Sequence, residues 1–169
     1  MVLGMSIGAF TVLHVVLSLI GIGAGIVVVF EMWGAKTPRG LAAVFLATTV
    51  ATSVTGFLFP SDKITPADVV GIISLIALLA AILGLYYARL AGAWRWIYVS
   101  GAVLALYLNV FVAVVQSFQK LPFLHPLAPT GSEPPFLVTQ IGVLGLFVWF
   151  GARALKRFHP SGPMSTAAA

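Results

Sequence analysis

The sequence contains no cysteine and only four acidic residues, and both shortages narrow what it can be. Without thiols there are no disulfides, thiolate metal sites, iron–sulfur clusters or cysteine nucleophiles. Charged residues make up 8% of the 169 positions. A water-soluble domain carries charge on roughly 25% of its residues, so this chain lacks the polar side chains to cover a globule. The pI is near 10.0, but nine scattered Lys and Arg cannot assemble a basic face, and no nucleic-acid partner is expected. Catalytic motifs are missing as well. No nucleophile elbow with Ser, His and Asp in order occurs, nor an HExxH, nor a glycine-rich phosphate loop. Gly21, Gly23 and Gly25 alternate inside an apolar run with no strand before them, which excludes a dinucleotide reading.

What is present is apolar. Hydrophobic residues account for 60% of the chain and the mean hydropathy is +1.10. Runs long enough to cross about 30 Å of hydrocarbon occur at about 8–30, 40–59, 67–88, 94–118 and 136–155. We therefore expect an all-α integral membrane protein: a five-span transmembrane helix bundle forming one domain over residues 1–158. The first run reads as a retained helix rather than a signal peptide. No Lys or Arg precedes it, it is too long for the apolar region of a leader, and no small-residue cleavage site with a polar flank follows. Residues 159–169, rich in Pro, Ser, Gly and Ala, are expected to form a disordered cytoplasmic tail. Five spans do not divide into matching halves, and no acid lies mid-span. Both features weigh against a coupled transporter.

Several helix starts carry local signatures. Thr37-Pro38 places an N-cap hydroxyl before a proline at the first helical position. Thr65-Pro66-Ala67-Asp68 repeats the pattern and adds an acid that completes a capping box. Ser132-Glu133-Pro134-Pro135 must precede or open the last helix, because prolines are tolerated only there. Gly92 breaks the third run from the fourth and leaves a connection of about six residues, so those two helices should be antiparallel neighbours.

The basic residues give a direction. Lys36, Arg39, Arg89, Arg95, Arg153, Lys156 and Arg157 fall on one side of the expected bundle; Lys63 and Lys120 fall on the other. The excess places the N-terminus outside and the C-terminus in the cytoplasm. Trp33, Trp94, Trp96, Tyr86 and Tyr87 gather at the cytoplasmic helix ends, and Phe57, Phe59, Phe118, Phe123 and Phe136 at the outer ends, as interfacial anchors.

With direction comes depth. His14, Thr52, Ser53, Thr55, Asn109, Gln116, Gln119 and Gln140 all fall from mid-bilayer outward, while the inner half is aliphatic and aromatic. His14, Ser18, Gly21 and Gly25 share one face of the first helix; Gly101, Ala105, Asn109, Ala113 and Gln116 share one face of the fourth. An unsatisfied donor in lipid costs several kcal/mol, so both faces should turn inward. Small residues there would let backbones approach while polar side chains bond across the seam. The loop 118–136 holds five of the ten prolines, and should be a stiff connector or a lid over the outer mouth, with His125 in it.

Two functional readings follow. The first is a non-enzymatic component or accessory subunit of a membrane complex, with a polar pocket in the outer half of the bilayer formed by His14, Asn109, Gln116 and Gln140 beneath His125. Its partners would be the bilayer itself and proteins met through the small-residue faces and the 118–136 loop. The second is a small redox-linked protein binding quinone or haem near His14 and His125. A divalent metal needs three or four ligands, and only Asp68 and Glu133 could join His14 and His125 from the same side, so the metal is left open; no catalytic constellation identifies an enzyme. The general composition resembles that of small polytopic proteins of bacterial inner membranes, which implies the bacterial cytoplasmic membrane as its location and carries no activity with it.

Overall fold

The computed structural model describes residues 1–159. Of the expected tail, only His159 is included, and residues 160–169 lie outside the described residues. Among the described residues there are five α-helices and no strands: α1 Ile7–Trp33, α2 Arg39–Gly56, α3 Pro66–Ile82, α4 Trp94–Lys120 and α5 Pro134–Arg157. Four of the five are long and apolar enough to cross a membrane, with α3 counted together with the π-helical turn Leu83–Tyr87 that extends it. The fifth, α2, has 18 residues and measures about 27 Å at 1.5 Å per residue. Thr48, Thr49, Thr52, Ser53 and Thr55 lower its hydropathy.

The helix ends follow from local chemistry. Ser6 caps α1 by accepting from Ala9 N–H. Thr65 and Asp68 form the expected capping box, with Asp68 Oδ2 accepting from Thr65 N–H at 2.6 Å. The Thr37-Pro38 expectation is corrected: Pro38 itself is the N-cap, no side chain caps the helix, and α2 begins at Arg39. The end of α2 also differs. Its last residue is Gly56, and Phe57, Leu58 and Phe59 follow in a tightened turn with bonds back to Val54, Thr55 and Gly56 carbonyls. Pro60 enforces this, because the residue before a proline is pushed out of the helical region. Between the π-helical turn and α4, Arg89, Leu90 and Gly92 all take positive φ and reverse the chain within six residues.

The helices run alternately up and down around α4, which packs against all four others. Along one side lie α3, α2, α1 and α5 in that order, each touching the next. Close approach is bought with glycine at two crossings. A Cβ on Gly25 of α1 would stand 2.7 Å from Leu106 of α4 and 2.8 Å from Phe45 of α2. One on Gly101 of α4 would stand 2.6 Å from the Ala77 carbonyl of α3. Around these contacts Phe45, Val28, Met32, Leu78, Leu106 and Tyr98 form an almost waterproof apolar core. Seven of the nine Lys and Arg lie at one end of the bundle, here called the basic end. Two lie at the opposite end, where α1 begins.

Candidate functional site

Polar side chains enter the bundle where α1 crosses α2 and α4, on the half nearer the start of α1. Glycine again sets the approach. A Cβ on Gly21 would stand 2.9 Å from Thr49 Oγ1, 3.1 Å from Thr48 Oγ1 and 3.3 Å from Asn109 Nδ2. One turn earlier, Ser18 Oγ donates to Asn109 Oδ1 at 2.8 Å, and Asn109 Nδ2 donates back to the Ser18 carbonyl at 3.4 Å. This reciprocal pair joins α1 to α4 and uses both ends of a buried amide.

A further turn along, His14 Nδ1 lies 2.9 Å from Thr55 Oγ1 of α2. The single hydroxyl proton of Thr55 is directed to the Ala51 carbonyl at 2.7 Å. Thr55 Oγ1 must therefore accept, which assigns the proton of neutral His14 to Nδ1 and leaves Nε2 with a lone pair. Nε2 has no hydrogen-bond partner among the described residues. The ring of Phe59 meets the imidazole edge-on, with centroids 5.3 Å apart.

The other threonine hydroxyls of α2 serve their own helix. Thr48 donates to Val44 O, Thr49 to Phe45 O and Thr52 to Thr48 O, at 2.7, 2.7 and 2.9 Å. Ser53 donates across to Ser74 of α3 at 3.3 Å. On the other flank, Gln140 of α5 donates from Nε2 to the Phe111 carbonyl of α4 at 3.2 Å. Its Oε1 is buried without a partner among the described residues.

The five residues singled out from the sequence thus separate into different contacts. His14 and Asn109 are linked through α1, one to Thr55 and the other to Ser18 a turn away. Gln140 bonds to the α4 backbone by itself. Gln116 does not turn inward. Along its face Gly101, Ala105 and Asn109 are buried, Ala113 is partly buried and Gln116 is exposed. Helices cross at an angle, so a face covered at the crossing emerges from its neighbour two turns later. His125 is exposed as well, opening a short 3₁₀ turn, His125–Leu127, that packs on α4. The turn's neighbour Ala128 is buried, and Phe118 and Phe136 meet edge-to-face across the loop base, with centroids 5.5 Å apart. Among the described residues no three His, Asp or Glu side chains gather around a common point.

Two features escaped the sequence reading. Glu133 binds its own turn, accepting from Thr130 N–H at 3.0 Å, Thr130 Oγ1 at 2.9 Å and Ser132 N–H at 3.0 Å. The Thr130 N–H leads in holding its carboxyl down to about 2. At the basic end the Arg153 guanidinium lies over Trp33 at 4.8 Å and Trp149 at 5.5 Å. The Trp149-Arg153 spacing of one helical turn is a signal that could have revealed half of this stack. No family model, curated relative or solved structure matches this chain.

Proposed function

We propose that the chain is a five-span integral membrane protein of the bacterial cytoplasmic membrane, with its N-terminus outside and its C-terminus in the cytoplasm, and that it serves as a non-enzymatic component of a membrane complex. α2 is the fifth span. Its Thr hydroxyls bond to carbonyls one turn back, so it brings no unsatisfied hydroxyl into hydrocarbon despite its lower hydropathy. The seven-to-two division of Lys and Arg between the two ends supports this orientation. Reporter fusions after Ala169 and at Thr130 should report opposite sides. The same side for both would exclude five spans.

The observation that carries the non-enzymatic reading is the pairing of the interior polar groups with one another, Ser18 with Asn109 and His14 with Thr55. Such bonds act as interhelical ties. The small-residue faces of α1 and α4 are closed within the bundle at Gly21, Gly25 and Gly101. A protein partner would therefore meet the 118–136 loop, where Phe123 and Leu127 are exposed, or the outer face of α5.

A second reading has one observation in its favour. His14 Nε2 and, on the other flank, Gln140 Oε1 are each an acceptor without a partner among the described residues, and either position suits a hydroxyl donor, a quinol rather than a quinone. An optical spectrum of the purified protein with extraction of its lipids separates the two. A Soret band or a stoichiometric quinol would establish the redox reading; a colourless, quinol-free preparation that retains its fold supports the structural one.

A further inference from the structure

We propose that the basic end of α5 binds the phosphate group of an anionic lipid. Trp149, Ala152, Arg153, Lys156 and Arg157 line a groove of about 280 Å³ there. Arg153, Lys156 and Arg157 stand at i, i+3 and i+4, so three like charges share one face and repel one another. Among the described residues no carboxylate is paired with them. Of the four acids in the sequence, Glu31 alone is at this end, and its carboxylate lies 3.5 Å from Lys36 Nζ. Residues 160–169 contain no Asp or Glu.

The helix end does not compensate them either. The last carbonyls of a helix form the negative pole of its dipole, which ordinarily attracts cations and repels an anion. Here Arg95 of α4 donates to the Leu155 and Phe158 carbonyls and covers that pole with a fourth positive charge. Arg153 is held on aromatic faces instead of by a carboxylate, and its Nε is buried without a partner among the described residues. A planar guanidinium fixed in this way presents its remaining N–H groups in the fork geometry that matches a phosphate.

The surface next to the groove favours a lipid over free phosphate. Ile141, Gly145, Trp149 and Ala152 continue the lysine face toward the middle of α5. A Cβ at Gly142 or Gly145 would meet nothing within 4 Å, so the backbone is bare there, between exposed Ile141, Leu144 and Val148. An acyl chain hanging from a phosphate in the groove would lie along this trough. The site rests on the membrane reading, and the two fail differently. A chain that is soluble without detergent would refute the span assignment, whereas the following test concerns a detergent-purified chain.

Full-length protein in mild detergent should be titrated with phosphatidylglycerol and, separately, phosphatidylcholine, with bound lipid counted by native mass spectrometry. Wild type should prefer phosphatidylglycerol. K156Q/R157Q changes two exposed side chains and leaves the Arg153 stack in place. Each charge removed should lower the preference about fivefold. R39Q/R89Q removes the same charge from the same end and should keep it. Equal binding of both lipids by wild type, or equal loss in the two double variants, would overturn the proposal. Displacement of phosphatidylglycerol by excess inorganic phosphate would reassign the groove to free phosphate and overturn the lipid part. Retention against phosphate supports it.

Discussion

Gly101 and Gly145 are both glycines inside long apolar helices, and they do opposite things. Gly101 lies where α4 is pressed against α3, with the Ala77 carbonyl and Ala81 directly over its Cα. Gly145 lies on the outer side of α5, with open space where a Cβ would be. The contrast extends to whole helices. Half of the apolar window of α4 is buried, against 11% of that of α5. Helix composition scarcely distinguishes them, since both are apolar throughout and end in aromatic and basic residues. In lipid, burying an apolar side chain gains little over leaving it among acyl chains, so close packing and paired polar groups must hold the bundle together. α4 has both. α5 is tied to α4 by the Gln140 amide bond and by Arg95 at its last carbonyls, and otherwise has the aromatic cluster of Trp33, Phe147, Trp149 and Phe150.

The sharpest way to break this contrast is to fill the seam. Gly101→Ala puts a methyl group 2.6 Å from a backbone oxygen that cannot swing aside. α3 and α4 must separate, and we expect a loss of about 2–3 kcal/mol in a mixed-micelle unfolding titration. A change under about 0.5 kcal/mol would show that the seam is not tight. Emptying it is the next test. Phe45 is fully buried and, like Leu106, lies against Gly25, so Phe45→Ala leaves a cavity. In a water-soluble core such a change costs about 3–5 kcal/mol. Because the transfer part of that cost falls away in lipid, the same titration should read about 2 kcal/mol.

These positions also show what the sequence discloses. Apolar run length is a property of the chain alone, so the helices lie within about three residues of their expected bounds once the π-helical turn Leu83–Tyr87 is counted with α3. Thr65-Pro66 and Asp68 act only on one another, and their capping box was legible for that reason. Thr37-Pro38 failed because the chain leaves α1 through Gly34 and a positive φ at Ala35, which sets the approach to α2 before the proline. The helix faces that carry His14 and Asn109 were legible, but their partners were not. A helical face tells which residues lie together on one helix; the crossing angle decides how far along that face the neighbour reaches. Gln116 lies beyond that reach and His125 depends on a loop with no periodicity at all. The Arg95 cap on α5 joins residues about sixty positions apart, and nothing local announces it.

Polar ties should weigh less than packing. Asn109→Leu removes the reciprocal bonds to Ser18 and should cost about 0.6–1.7 kcal/mol, from the mean to the maximum of measured interhelical bonds. Gln140→Leu differs, because it removes one bond and also an orphaned buried acceptor. Its effect should stay within about 0.5 kcal/mol of zero. If Gln140→Leu costs as much as Asn109→Leu, then Oε1 has a partner, and the quinol reading gains the ground that the structural one loses. On the open side, Gly145→Ala should be neutral or stabilising by up to about 0.8 kcal/mol, since the methyl meets nothing and alanine favours helix. A marked loss of stability would mean that something in the purified protein covers the trough on α5.

The smallest effect is expected at the turn that leads into α5, and it isolates that helix's entrance from the bundle. Glu133 is the N-cap residue, yet its carboxylate binds backward to Thr130 and Ser132 rather than forward to the helix. The ordered turn therefore depends on ionised Glu133, while α5 depends on its prolines and its contacts with α4 and α1. The folded-state value of about 2 lies below the ordinary 4.5. A depressed carboxyl contributes its full stabilisation above the unfolded value and loses it as pH falls through the folded one. Protection of the Thr130 and Ser132 amides, taken relative to the free-peptide exchange rate at each pH, should thus be full above pH 4.5 and fall progressively toward pH 2, with the unfolding midpoint of the helices unchanged. Glu133→Gln should lower the protection of both amides at every pH. If the helices of the wild type loosen in step with the turn, then the loop holds α5 in place, and the weakly packed helix owes its position to its connection rather than to its contacts.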